Sequence, residues 1–296
     1  MIELTTANRA LKDVYLGVVS HLLNGTTDVL LSKITPTTND VYGNQICKCV
    51  NIDGKTLNLK EELETLSVGI EISYKAIRVS QNSAGAFVNL LNSEIENMVK
   101  DAQRRIRNSF YTEDVKPEYL PDKIDYKPLN VVGLKKLFDT KGESLYGLKR
   151  KEEPAMNPII KKIKTFNPIR IQEIIDNNNE NVNVLVCSAK IKREYMDYLS
   201  RHRQEIEIFD MSGGFKCIKF NNLLLMVVAK IPDNEIYLLN TADFKFHQLC
   251  DWQWIEDERG NVIRLSSEDV YRATLVKYGN YICEKPHKQI KIIIGE

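Results

Sequence analysis

The chain has 296 residues, with 41 lysines and arginines against 40 aspartates and glutamates and a formal net charge of +1. That balance supplies no global field to draw in nucleic acid or an anionic membrane, so any nucleic-acid contact has to be local. A globular chain of this length suits one large or two modest domains and buries roughly 75% of its unfolded surface. The longest apolar run, Leu223 to Ala229, falls far below the roughly 20 residues that span a bilayer, and no membrane contact is expected. The six cysteines, Cys47, Cys49, Cys187, Cys217, Cys250 and Cys283, are scattered, and the opening Met-Ile-Glu-Leu has neither a basic n-region nor an apolar h-region. Both features predict free thiols in a reducing cytoplasm.

In chain order, Ala7, Leu11, Val14, Tyr15, Val18, Val19 and Leu22 recur at spacings of three and four between Thr6 and Leu23. This predicts an amphipathic helix that stops near Asn24-Gly25. After Pro36 the text turns extended and polar. The excursion between Val41 and Leu66, with a turn at Asp53-Gly54, is longer than a short hairpin needs and is expected to project. Leu66, Val68, Ile70 and Ile72 then alternate with Thr65, Ser67, Gly69, Glu71 and Ser73, a strand with one buried face.

Ser83 to Tyr111 is the longest helical pattern, with Phe87, Leu90, Leu91, Ile95, Met98, Val99, Ala102, Ile106 and Phe110 on one stripe. At 1.5 Å per residue it reaches about 40 Å. Pro117, Pro121 and Pro128 end that reading and make 112–130 a loop or linker. From Asn157 the texture alternates between helix and strand. Asn167-Pro168 caps a helix over Ile169 to Ile175, Val182 to Val186 reads as a short strand, and Ala189 to Arg203 as a charged helix. Phe215 to Phe220 and Leu223 to Val228 form a hairpin about Asn221-Asn222. The domain boundary therefore falls near residue 155, with a compact α/β unit running to about Ile236.

Phe244 to Cys283 reads as a β ribbon turning at Asp257 to Asn261. Both tryptophans of the chain, Trp252 and Trp254, lie on it two residues apart, which on a strand points both indoles to one face. They are expected to pack against the long helix near Phe87 to Met98, with Phe87 and Leu91 as partners.

The order of local wording narrows the reading further. Tyr237-Leu-Leu-Asn240, the DWQW arm at Asp251 to Trp254, a glycine turn, and ATLVKYGNYICEKP from Ala273 succeed one another. NRALKDVYLGVVSHLLN from Asn8, IEISYKAIRVSQNSAGAFVNLLNSE from Ile70, YGLKR at Tyr146 to Arg150 and MSGGFKCIKFN from Met211 precede or interleave with them. In this order the chain resembles the major capsid proteins of tailed bacteriophages, whose fold is named after the Hong Kong 97 phage.

The resemblance covers nearly the whole chain and implies an α+β fold in five parts. They are an N-terminal arm (1–37), an extended hairpin called the E-loop (38–76), a peripheral domain (77–154) with a spine helix at 83–111, an axial domain (155–236), and a return to the peripheral strands with a C-terminal tail (237–296). It also implies a structural role: many copies forming hexamers and pentamers of an icosahedral shell around double-stranded DNA, assembled in a bacterial host's cytoplasm with portal and scaffolding proteins. The E-loop would lie over one neighbour, and the arm would reach another. Scaffolding, if used, would be a separate protein, because no coiled-coil segment precedes the arm. An encapsulin-like cellular compartment shares this lattice and is the nearest rival reading.

The residues that carry chemistry elsewhere read as structural. Cys47 and Cys49 share a strand face but lack the further ligands that zinc requires. His247 and Cys250, three apart on a strand, point to opposite faces and do not make a nucleophile with its base. Asp251, Glu256, Asp257 and Glu258 crowd a turn, and Gly213-Gly214 lacks the lysine and helix of a phosphate loop. No catalytic, cofactor or metal site is expected; the enzyme alternative rests on Cys187 and Ser188 in the α/β unit. Lys149, Arg150, Lys151, Lys161, Lys162 and Lys164 stand against only Glu152 and Glu153, a candidate surface for non-specific contact with packaged DNA.

Overall fold

The computed structural model describes residues 4–25, 28–80, 84–112, 128–178, 181–203, 206–211, 215–267 and 269–295. Pro117, Pro121, Ser83 and the Gly213-Gly214 pair lie outside the described residues, as does the side chain of Phe87. Two sheets organise the chain.

The first sheet is built around Val270–Cys283, an interior strand of 14 residues. One edge of it pairs antiparallel with Glu64–Ser73, in register from Val270 opposite Ser73 to Gly279 opposite Glu64. The other edge is taken in turn by Arg264–Ser267, Gln253–Trp254 and Phe244–Gln248. Thr35–Thr37 closes that side as an edge strand parallel to Phe244–Gln248. Pro36 is tolerated there because an edge residue needs no second ladder bond.

The helix Ala84–Tyr111 runs 28 residues, about 42 Å, and matches the periodicity of its sequence. Leu91, Ile95, Met98, Val99, Ala102, Ile106 and Phe110 form its buried stripe. Arg105 Nη1 donates to the Ser67 carbonyl at 3.0 Å, tying the helix to the strand Glu64–Ser73.

The second sheet has seven strands, in spatial order Ile208–Met211, Phe215–Phe220, Leu223–Val227, Val184–Cys187, Glu235–Leu239, Ile290–Ile294 and Ile159–Ile163. Its central strands alternate between two cores, as a sheet covered on both faces must. Leu185, Cys187, Ile236 and Leu238 face the helices Pro168–Asn178 and Ala189–Arg201, through Ile171, Ile175, Ile191, Tyr195 and Leu199. Val184, Val186, Tyr237 and Leu239 join the larger core that contains the first sheet, and Phe138 meets Tyr237 edge-on at 5.1 Å there. Both helix starts are capped, the first as Asn167-Pro168 predicts: Asn167 Oδ1 accepts from Ile169 N at 3.0 Å, and Ser188 Oγ from Ile191 N at 3.4 Å.

Three expectations need correction. The strand Glu64–Ser73 belongs to the sheet beneath the long helix, so the hairpin of 38–76 is confined to Gln45–Ile52 and Lys55–Glu62 with Val41–Tyr42 beside it. The tail does not stay with the ribbon: Ile290–Ile294 inserts into the second sheet between Glu235–Leu239 and Ile159–Ile163. Its sequence, Ile-Lys-Ile-Ile-Ile, is a near-continuous apolar run; Ile290 and Ile292 share one fully buried face, while Lys291 and Ile293 on the other are partly covered. Finally, the hairpin expected to project and the arm expected to reach a neighbour each have an apolar face buried in the core of their own chain.

Candidate assembly surfaces

The N-terminal helix spans Leu4–Ala10, a wider π-type turn at Leu11–Tyr15, and Leu16–Gly25. Ala7, Leu11, Val19 and Leu23 are its buried positions. Asn8 anchors its start: its Oδ1 accepts from the backbone N–H of Val262 at 2.9 Å and of Ile263 at 2.7 Å. Those two amides are buried, and without Asn8 they would lack partners.

Trp252 and Trp254 are both buried. Trp254 Nε1 donates to the Leu11 carbonyl at 3.0 Å, an oxygen that also accepts from Leu16 N across the π turn. The hydrogen bond of this indole is therefore with the N-terminal helix, and its ring lies in the same core as Leu91, Ile95 and Met98 of the long helix. The N-terminal helix in turn touches the long helix through the Tyr15 hydroxyl on Asn92 and Gln103 Nε2 on the Leu22 carbonyl. Leu91 is buried in the same core, whereas the side chain of Phe87 is outside the described residues.

At the far end of the helix, Lys277 lies inside the ribbon with its side chain 4% exposed. Its ammonium donates to Asn24 Oδ1 at 2.9 Å and Asp251 Oδ1 at 3.1 Å, and lies 5.2 Å and 5.7 Å from the ring centres of Phe246 and Trp252. Burial pulls the pKa of Lys277 down against the opposing charge of Asp251. Burial alone would raise that of Asp251, but the hydrogen bond from Asn24 and the charge of Lys277 hold it below the usual carboxylate range. Lys277 and Asn280 both interrupt the apolar run Leu275 to Cys283, and this is the signal by which they were detectable in sequence. Asn8, on an amphipathic helix, carries no such mark. Asn280 accepts from Val132 N at 2.8 Å and donates to the Glu62 carbonyl at 3.0 Å.

The hairpin has two distinct faces. Ile46, Val50, Ile52, Leu57 and Leu59 turn inward and are buried, while Cys49, Asn51, Thr56, Asn58 and Lys60 turn outward and are exposed. Its base is clamped by Lys60 N on the Tyr146 carbonyl at 3.0 Å and its tip by Lys55 Nζ on Glu153 at 2.5 Å. The inner face lies on its own chain, and the outer face is open.

The six-residue basic surface does not form as expected. Arg150 is buried, and its guanidinium donates to the carbonyls of Met156 at 2.6 Å and of Lys136 and Leu137 at 3.0 Å. It closes a loop instead of facing a phosphate. Lys149 pairs with Glu152 at 2.8 Å, Lys151 is exposed, and Lys161, Lys162 and Lys164 are exposed at the edge of the second sheet.

The residues of the enzyme alternative are engaged in structure. Burial pushes the Cys187 thiol up to about 12, the opposite of an activated nucleophile, and Ser188 caps its helix. His247 is buried with Nδ1 2.9 Å from the Asn39 carbonyl. Asp257 holds its own turn through Arg259 N at 2.9 Å and Asn261 N at 2.7 Å, and Glu256 pairs with Lys12 at 2.8 Å. Among the described residues, no group of three or more His, Cys, Asp or Glu is placed to hold a metal, and no helix is long and apolar enough to cross a membrane.

By sequence, the chain matches no protein-family model and no curated protein. By structure, it is similar to a capsid chain of cyanophage A-1(L), with a TM-score of 0.61, 12% identity and coverage of 95% of this chain and 93% of that one. It is also similar to the encapsulin of the SrpI complex from Synechococcus elongatus (TM-score 0.56, 9% identity, 88% and 84% covered) and to the capsid of a native GTA particle (0.55, 10%, 92% and 91%). The long helix lying on the ribbon sheet, the hairpin beside it and the two-faced α/β unit together make the Hong Kong 97-type fold of tailed-phage major capsid proteins.

Proposed function

We propose that the chain is the major capsid protein of a tailed bacteriophage, assembling into hexamers and pentamers of an icosahedral shell that encloses a double-stranded DNA genome. The observation that carries this reading is correspondence over nearly the full length of both chains, 95% and 93%, with a cyanophage capsid protein. In this reading the first sheet and the long helix are the peripheral domain, and the seven-stranded sheet with its two helices is the axial domain. The open outer face of the hairpin is the surface laid against a neighbouring copy. The shell needs no catalytic residue, cofactor or metal. It is assembled in the bacterial host with portal and scaffolding proteins, and its contact with DNA is non-specific.

The encapsulin correspondence, over 88% of this chain, favours a second reading as a cellular compartment with the same lattice. Particle contents separate the two. Purification of particles from the native source, followed by nuclease treatment and extraction, yields protected DNA of genome length if the shell is viral. A protein cargo with no protected DNA supports the compartment, and a chain found in no particle defeats both.

A further inference from the structure

The seven-stranded sheet ends in two open edges with opposite character. One outermost strand, with the residues leading into it, reads Ile206-Glu207-Ile208-Phe209-Asp210-Met211 and holds two acids and no base. Residues 206 to 210 are all exposed, with Ile208 at 65% and Phe209 at 42%. The other outermost strand and its next residue read Ile159-Ile160-Lys161-Lys162-Ile163-Lys164, with three bases and no acid. All three lysines are exposed.

An unpaired edge bearing large exposed apolar side chains is unfavourable in an isolated molecule and ordinarily marks a contact surface. Lys219 satisfies Glu207 at 2.9 Å and lies 5.6 Å from the Phe209 ring centre, but Asp210 and the three lysines have no ion-pair partner among the described residues. Tracing the pairings across the sheet, from antiparallel Ile208–Met211 with Phe215–Phe220 to parallel Ile290–Ile294 with Ile159–Ile163, leaves the two edge strands running in the same direction.

We infer that these edges are the two halves of one heterologous contact between copies of this chain, the acidic, apolar edge of one copy meeting the lysine edge of the next. Resting on the shell reading, this names the surface through which neighbouring α/β units join in a ring. A head-to-tail contact needs two different, complementary patches on every copy, and it closes when successive rotations return to the start. Two edges of opposite charge on one sheet supply them, and the three lysines of one edge, unpaired among the described residues, repel those of a second copy, which disfavours the back-to-back arrangement of that edge. Lysines on an edge strand can also serve merely to prevent pairing. The two roles make opposite forecasts for charge reversal.

The test compares wild type with K161E/K162E, with E207K/D210K and with the quadruple variant, each checked for an unchanged circular dichroism spectrum and thermal midpoint. Assembly is read by sedimentation against protein concentration. Each double variant is expected to raise the concentration needed for assembly by at least about tenfold, since like charges now face each other, and the quadruple variant to restore most of the loss. Double variants that assemble like wild type, or a quadruple variant no better than either double, overturn the edge contact while leaving the shell reading intact. A wild-type chain that remains monomeric overturns both.

Discussion

Replacing Trp254 separates what its ring contributes from what its N–H contributes. A buried tryptophan removes about 150–250 Å² from water, which at about 25 cal/mol per Å² is about 4–6 kcal/mol. That is an upper bound, because the unfolded chain is already partly compact. Trp254 is 6% exposed, and Trp254→Ala is expected to cost about 4 kcal/mol, within the range found for large-to-small core substitutions. Trp254→Phe keeps most of the ring area and loses the bond to the Leu11 carbonyl. That oxygen still accepts from Leu16 N, so no buried acceptor is stranded and the loss is about 1–2 kcal/mol. Urea titrations of unassembled protein followed by far-ultraviolet circular dichroism measure both. Equal costs for the two variants, or less than about 1 kcal/mol for Trp254→Ala, would refute the packing of this ring against the N-terminal helix.

Asn8→Ala strands the two buried amides of Val262 and Ile263 and is expected to cost about 2–4 kcal/mol. Hydrogen exchange at those two amides should speed up well beyond the global change. In the hairpin, Leu59→Ala should cost about 3 kcal/mol, whereas Lys55→Ala, whose side chain is 61% exposed, should cost less than about 1 kcal/mol. The reverse order in urea titrations would mean that the hairpin is held by its tip ion pair instead of its inner face. Burial raises the phenol pKa values of Tyr111, Tyr146, Tyr237 and Tyr281. Above about pH 10 the unfolded phenols ionise while the folded ones remain protonated, so the folded state binds more protons and stability falls as pH rises. The thermal midpoint is expected to drop steadily from pH 9 to 11, and a flat profile would contradict those environments.

Much of the fold was legible because periodicity reports burial. The stripe Leu91 to Phe110 marked the long helix, the alternation Leu66 to Ile72 marked its supporting strand, and Asn167-Pro168 marked a helix start. What sequence could not show was which chain segment covers each apolar face. The hairpin's alternating Ile46, Val50, Leu57 and Leu59 specify one dry side, but they fit a neighbouring copy as well as the core of the same chain, which they join. The same holds for the N-terminal helix, whose stripe meets Trp254 in its own chain. Arg150 was misread because clustering of charge in sequence says nothing of direction: one side chain turns inward to three carbonyls while Lys149 and Lys151 beside it remain in water. The final strand Ile290–Ile294 was missed because parallel pairing with Ile159–Ile163 spans more than a hundred residues, and no local signal encodes such a partner.

Electron microscopy of the purified protein, with sedimentation of the same preparation across salt and pH, tests the central claim most directly. Closed shells or capsomers built from hexamers and pentamers of this chain are expected. A strictly monomeric species under all conditions, alone and with the scaffolding partner, would contradict it.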